Sequence, residues 1–222
     1  MFSKYYEQER TIMKIITISR EFGSGGRELG KRMADVLGWD YYDREIISAI
    51  AEKTDLTEEY VENVLNSQAW QSVPLTFGHS FAAFSNANPQ ISLLAEQRKV
   101  IEEIGRSGRD CIIVGRNADK ILADLNPFNI FVCATMDAKA ERCRSRAADD
   151  EKLSRKELER KIKSIDKKRA ATREIISGSV WGQRDNYHLT VNTTGWNIKE
   201  LAPAVSAFAM AWFGGNTGDI ED

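Results

Sequence analysis

Residues 21–30, EFGSGGRELG, follow residues 14–19, KIITIS, with Arg20 between them. The apolar run reads as a buried strand, and GRELGKRMADVLG reads as the helix that follows it. Leu29, Met33 and Leu37 recur four apart on one face, and Gly38 stops the helix. Strand, glycine-rich turn and helix, in that order, present backbone N–H groups and a helix N-terminus to an anion. The turn therefore predicts a phosphate site at the edge of an α/β sheet.

Four further runs carry the same signature as KIITI (14–18). They are WDYY (39–42), CIIVG (111–115), NIFVCA (129–134) and LTVN (189–192). They are apolar nearly throughout, as parallel strands covered on both faces should be. Helical patterns lie between them, from about Asp43 to Leu65, Ile91 to Arg106, Arg155 to Ile176 and Ile198 to Phe213. Alternating strands and helices predict a three-layer α/β/α domain over 13–215 with a five-stranded parallel sheet.

Two stretches interrupt this alternation. Residues 63–95 contain no Asp, Glu, Lys or Arg, but hold Trp70, Phe77, His79, Phe81 and Phe84. A long insert in a compact domain is often a lid or binding segment; as an apolar hairpin it would pack on the domain or against a second subunit, leaving a homo-oligomer open. From Ala138 to Arg173 there are 14 Lys and Arg against 7 Asp and Glu, or +7, so the chain's net −2 leaves −9 elsewhere. A basic segment on an acidic body points to a local anion site rather than a nucleic-acid surface.

The 222 residues are 42% hydrophobic and 29% charged, an ordinary globular balance. No run approaches the roughly 18 uninterrupted apolar residues of a membrane span, and MFSKYYEQER has no apolar signal segment. Cys111, Cys133 and Cys143 lack the spacing of a disulfide framework or zinc site, which suggests the reducing cytoplasm.

The turn departs from the two common phosphate-binding patterns. A dinucleotide fingerprint needs a glycine where Glu28 stands. Against the P-loop pattern G-x-x-x-x-G-K-[ST], Arg20 falls on the first glycine, Gly26 on the lysine and Glu28 on the hydroxyl residue. By itself the turn allows a phosphate loop or only a tight turn.

The surroundings add to it. ITISREFGSGGRELGKRMADVLGWDYYD closely resembles the opening of the cytidylate kinase-like family of P-loop kinases. CIIVGRNADKIL is similar to the family's strand followed by Asp-Gly-Arg-Asp, DKKRAATRE to its arginine-bearing lid helix, and YHLTVNTTGW to its last strand and following Thr. The resemblance implies a P-loop kinase fold with sheet order 2-3-1-4-5, an acceptor-binding insert at about 63–95 and a basic lid at about 138–178. It implies phosphoryl transfer from ATP, with Mg2+, to a small acceptor, most simply a nucleoside monophosphate such as CMP. Phe22, Gly23, Ser24, Gly25 and Gly26 would wrap the donor phosphates, followed by Arg27 and Glu28. Arg27, or Lys31 a turn on, would supply the missing charge, with Arg20 as the other candidate. Asp43, Arg98 and Arg116 would meet the acceptor, and Asp166, Arg169 and Arg173 would act from the lid.

Three departures bear on specificity and metal. Val114 and Asn117 replace both aspartates of Asp-Gly-Arg-Asp, Arg44-Glu45 replaces the Ser-Gly after the counterpart of Asp43, and Glu28 replaces the hydroxyl that holds magnesium. Glu28 would bind the metal itself or repel the phosphates, and no metal ligand is assigned. Arginines recur because phosphoryl transfer needs charge and positioning, and each such contact supplies about 2–4 kcal/mol in the transition state. His79 and His188 have no acid–base partner and read as structural.

Overall fold

The computed structural model describes residues 13–66, 89–147 and 153–215. Residues 67–88 of the insert, with all five of its aromatic and histidine residues named above, and 148–152 of the lid lie outside the described residues.

Five parallel strands form one sheet in the order β2-β3-β1-β4-β5. They are β1 (Ile15–Arg20), β2 (Asp40–Tyr42), β3 (Cys111–Val114), β4 (Phe128–Cys133) and β5 (Leu189–Asn192). The helices among the described residues are α1 (Gly26–Leu37), α2 (Glu45–Thr54), α3 (Glu58–Asn66), α4 (Pro89–Gly105), α5 (Ala118–Ile121), α6 (Met136–Arg144), α7 (Arg155–Ser177) and α8 (Ile198–Gly215). This is the five-stranded parallel sheet, in the order 2-3-1-4-5, that the resemblance implied.

Strand alternation divides the core. Ile15 and Ile113 face one layer, where Ile46, Ile50, Val61, Leu93 and Ile101 of α2, α3 and α4 cover them. Ile16, Ile18, Ile112 and Val114 face the other, with Leu29 and Met33 of α1 and Ile198, Ala202 and Val205 of α8. Each buried aliphatic side chain contributes about 1.5–3 kcal/mol, so both faces of β1 are fixed and its C-terminal end is held rigidly. A third cluster, Ala140, Leu158 and Ile162, packs with Phe22 and Cys143 and seats α6 and α7 on the turn after β1.

The helix expected from about Asp43 to Leu65 is two helices. Asp55 closes α2 at φ 55°, its N–H returning to Ala51 O, and Thr57 Oγ1 accepts from Tyr60 N at 3.2 Å to open α3. A threonine followed by Glu58 and Glu59 is a helix start.

Candidate active site

The turn after β1 exposes one set of backbone groups and ties down another. Gly23 and Gly25 adopt φ of 78° and 85°, where a side chain would be strained. Arg142 Nη1 donates to Gly23 O at 2.8 Å, and Thr193 Oγ1 donates to Ser24 O at 2.6 Å. The N–H groups of Gly23, Gly25, Gly26 and Arg27 have no hydrogen bond among the described residues. A row of unpaired N–H groups opening a helix fits the oxygens of a phosphate. Phe22 N–H already meets an anion: it donates to Asp166 Oδ1 at 2.7 Å.

Two cavities meet here. One, of about 310 Å³, lies between the turn and the α6–α7 arm, with Arg142, Cys143, Arg146 and Lys161 on its far wall. The other, of about 410 Å³, lies at the C-terminal ends of β1 and β3, with Arg44, Glu62, Gln97, Arg116 and Lys168 around it. Arg20, Phe22, Arg27 and Arg169 line both and form the seam.

The seam is rich in cations. Asp43, 6% exposed, pairs with Arg27 and stands 3.5 Å from Arg20 Nη2. Arg169 Nη1 donates to Arg20 O at 2.9 Å and to Asp166 Oδ1 at 3.3 Å, and its guanidinium lies 5.8 Å from the Phe22 ring centroid. Arg116 follows β3 at φ 58°. Burial, then repulsion from Arg169, pushes the Arg20 guanidinium down to about 9 against the pull of Asp43. Burial also lowers Arg116 and Arg169. Burial raises the Asp166 carboxyl, opposed by the Phe22 N–H, Arg169 and Lys139.

Several expected residues stand elsewhere. Arg98 is exposed and pairs with Glu102 at 2.8 Å; its neighbour Gln97, 3% exposed, lines the second cavity. Arg173 is fully buried, its Nη1 donating to Asp119 Oδ1 at 2.7 Å and its Nε to Ser179 Oγ at 2.7 Å, so it anchors α7 to α5 instead of facing either cavity. Lys31 pairs with Asp35 at 3.3 Å on the surface of α1. Glu28 is bound by Arg32 at 2.8 Å and by Arg146. Burial, its largest single influence, raises Glu28, but the hydrogen bonds and charges of the two arginines together hold it below the usual glutamate range. His188 stacks on Phe128 and accepts the Asn129 N–H at Nδ1, a structural placement.

Residues that the sequence reading did not single out complete the site. Lys139, 5% exposed, lies 3.1 Å from Glu21 Oε2 and 3.6 Å from Asp166 Oδ2. Arg142 shapes the turn through the Gly23 carbonyl, which leaves no signal in the local sequence, whereas Thr193, which holds the Ser24 carbonyl, is the Thr that follows the last strand in the family pattern.

A model of the cytidylate kinase-like family matches residues 15–195. The crystal structure of an uncharacterized protein from Eubacterium ventriosum ATCC 27560 is similar with a TM-score of 0.62 and 21% identity, over 89% of this chain and 99% of that one. Shikimate kinase from Bacteroides thetaiotaomicron is similar at TM-score 0.54 and 16% identity, over 89% and 99% of the two chains. Shikimate kinase from Acinetobacter baumannii, in complex with shikimate, is similar at 0.51 and 14%, over 91% and 95%. These likenesses show the fold. No curated protein sequence matches the chain. No described helix is long and apolar enough to cross a membrane.

Proposed function

The chain belongs to the cytidylate kinase-like family, and on that footing we propose that it transfers the γ-phosphoryl group of ATP to a small anionic acceptor in the cytoplasm. A nucleoside monophosphate such as CMP is the acceptor of first choice. The observation that carries this reading is the shared wall: two cavities that meet at Arg20, Phe22, Arg27 and Arg169. Transfer of a phosphoryl group needs two reactants in line, water kept out and positive charge around the migrating group. The turn's free N–H groups suit the donor phosphates, and the α6–α7 arm covers them.

The acceptor's charge is supported more directly than its base. Arg20, Arg27, Arg44, Arg116, Lys168 and Arg169 line the second cavity against Glu62, with Asp43 buried beneath. Val114 is fully buried in β3, so that departure from the family pattern lies out of reach of a bound base.

The free N–H groups and cations of the site suit ATP, but the two side chains nearest the usual magnesium position, Glu28 and Ser24, are already engaged. Glu28 is held by two arginines, Ser24 Oγ donates to Glu21 O at 2.8 Å, and no group of three metal-ligating side chains occurs among the described residues. Magnesium would arrive on the phosphates of ATP, and no step is routed through it. The chain's own part is to bind the phosphates through the turn, orient the acceptor through Arg116 and its neighbours, and close Arg169 over the seam.

A second reading, a nucleotide-binding module without turnover, draws on the Asp166 carboxylate already bound to the Phe22 N–H. Titration calorimetry with magnesium and ATP, followed by a transfer screen over CMP, other monophosphates and small carboxylated metabolites, separates the two. Transfer to an anionic acceptor supports the kinase. Binding without turnover on any acceptor supports the module, and absence of nucleotide binding rejects both.

A further inference from the structure

The phosphate turn has glycine where a P-loop has lysine, and the surroundings of that glycine explain why a lysine cannot stand there. A Cβ on Gly26 would lie 2.6 Å from Arg20 Cβ and 3.2 Å from Val132 Cβ. Arg20 Cβ is fixed to the end of a strand buried on both faces, so it cannot swing aside. Position 26 is closed to any side chain while position 20 carries one.

A second glycine clears the other end of the same side chain. A Cβ on Gly115, just after β3, would overlap Arg20 Nη1 and stand 2.6 Å from Arg20 Cζ. Gly115 sits at φ 80°, with its N–H bonded to Ile18 O at 2.9 Å. Two glycines from separate segments thus leave a track from the start of α1 to the end of β3, and Arg20 fills it. Its guanidinium comes to rest on the seam, with only 14% of its side chain exposed. It is under-neutralised there. Its one side-chain hydrogen bond among the described residues is the long 3.5 Å contact to Asp43, a carboxylate that also pairs with Arg27. Arg27 is less suited to the task, since 57% of its side chain is exposed and it is engaged by Asp43.

We infer that Arg20 takes over the work of the missing lysine, with its guanidinium on the γ-phosphoryl group of the donor where the two cavities meet, and that Gly26 is glycine to make room for it. This rests on the kinase reading above. A planar guanidinium can hold two phosphate oxygens at once, where an ammonium acts as a point charge. A cation delivered from the strand also touches both cavities, so one residue faces donor and acceptor.

The test is the preference for ATP over ADP, measured by calorimetry with magnesium on the full chain, which needs no knowledge of the acceptor. Arg20→Met should lower ATP affinity more than tenfold while ADP affinity stays within threefold. Arg20→Lys should lose three- to tenfold of the preference. Lys31→Met, on the surface of α1, should change it less than twofold. Melting curves establish which variants are folded, and if Arg20→Met is not, Arg20→Lys decides. Folded Arg20 variants that keep the preference within twofold of wild type overturn the inference, as does a wild type that binds both nucleotides without preferring ATP. A wild type that binds neither removes the kinase reading itself, and this inference with it.

Discussion

Arg173→Met should unfold the protein at markedly lower temperature without touching the chemistry. Arg173 and Asp119 are 0% and 3% exposed, so water does not screen their pair. Arg173 Nη1 stands 2.7 Å from Asp119 Oδ1 and 2.6 Å from Oδ2, and Nε donates to Ser179 Oγ at 2.7 Å. Its guanidinium also lies 5.8 Å from the Tyr187 ring centroid. Removing one partner of a buried pair leaves the other charge without compensation, at a cost of about 3–5 kcal/mol. For a domain of this size 1 kcal/mol moves the melting temperature by about 2–4 °C, so the expected fall is about 6–20 °C.

Replacing both partners separates the pair's net worth from the cost of an orphaned charge. Arg173→Met combined with Asp119→Leu should lose less than half as much as Arg173→Met alone, because no charge stays buried. Thermal and urea unfolding give both values, and titration calorimetry with ATP gives the functional control. A loss of stability under about 1 kcal/mol, together with a tenfold loss of ATP affinity, would refute the reasoning and return Arg173 to the lid's working face.

Three further outcomes are expected. Gly25→Val should reduce ATP affinity about 100-fold or more by calorimetry and also lower the melting temperature, since its Cβ would stand 2.9 Å from Ile198 Cδ1 at φ 85°. Hydrogen exchange should show the arm from α6 to Arg169 protected when ATP, magnesium and acceptor are added, with the segment around Arg173 protected already, and an unchanged pattern would count against closure. For His188, burial lowers the folded pKa, so the folded state binds fewer protons than the unfolded chain around pH 6.5. Its stability contribution is therefore present above about pH 6.5 and lost as pH falls, and His188→Gln should flatten the melting temperature between about pH 7.5 and 5.5.

The sheet was legible because its three inner strands, β1, β3 and β4, are covered on both faces and so apolar nearly throughout, and the two shorter edge strands, β2 and β5, though half exposed, stand at sensible spacing beside them. Helix phase was harder. On α4, Leu93, Gln97, Val100 and Ile101 are all buried, and one residue turns the helix by about 100°, which carries Arg98 out to solvent beside Glu102. A cation at nearly the right place in a motif was weaker information than the burial stripe beside it. Arg169 and Arg173 share a helix face and differ only in what lies beneath them. Asp119, the partner that buries Arg173, is 54 residues away in sequence, so no local pattern could separate the two. Glu28 was open between metal ligand and electrostatic obstacle because Arg32, four residues on along α1, is only one of its two partners, and Arg146 reaches it from 118 residues away.

The occupied N–H of Phe22 bears on how a nucleotide would enter. Asp166 Oδ1 sits on that N–H as a phosphate oxygen would, and the same carboxylate faces Arg169 at 3.3 Å and Lys139 at 3.6 Å. A phosphate arriving at the turn therefore exchanges one anion for another at Phe22 and does not create the contact anew. The N–H groups of Gly23, Gly25, Gly26 and Arg27 are different, since they have no partner among the described residues to give up. The net gain on binding must come from them and from the under-neutralised guanidiniums at the seam. Asp166, once displaced, keeps Lys139 and Arg169 as partners, which holds the cost of moving it low. The carboxylate that sits on the Phe22 N–H and the arginine that would close over a bound phosphate lie three residues apart on α7, so exchanging the anion and moving the arm become one motion.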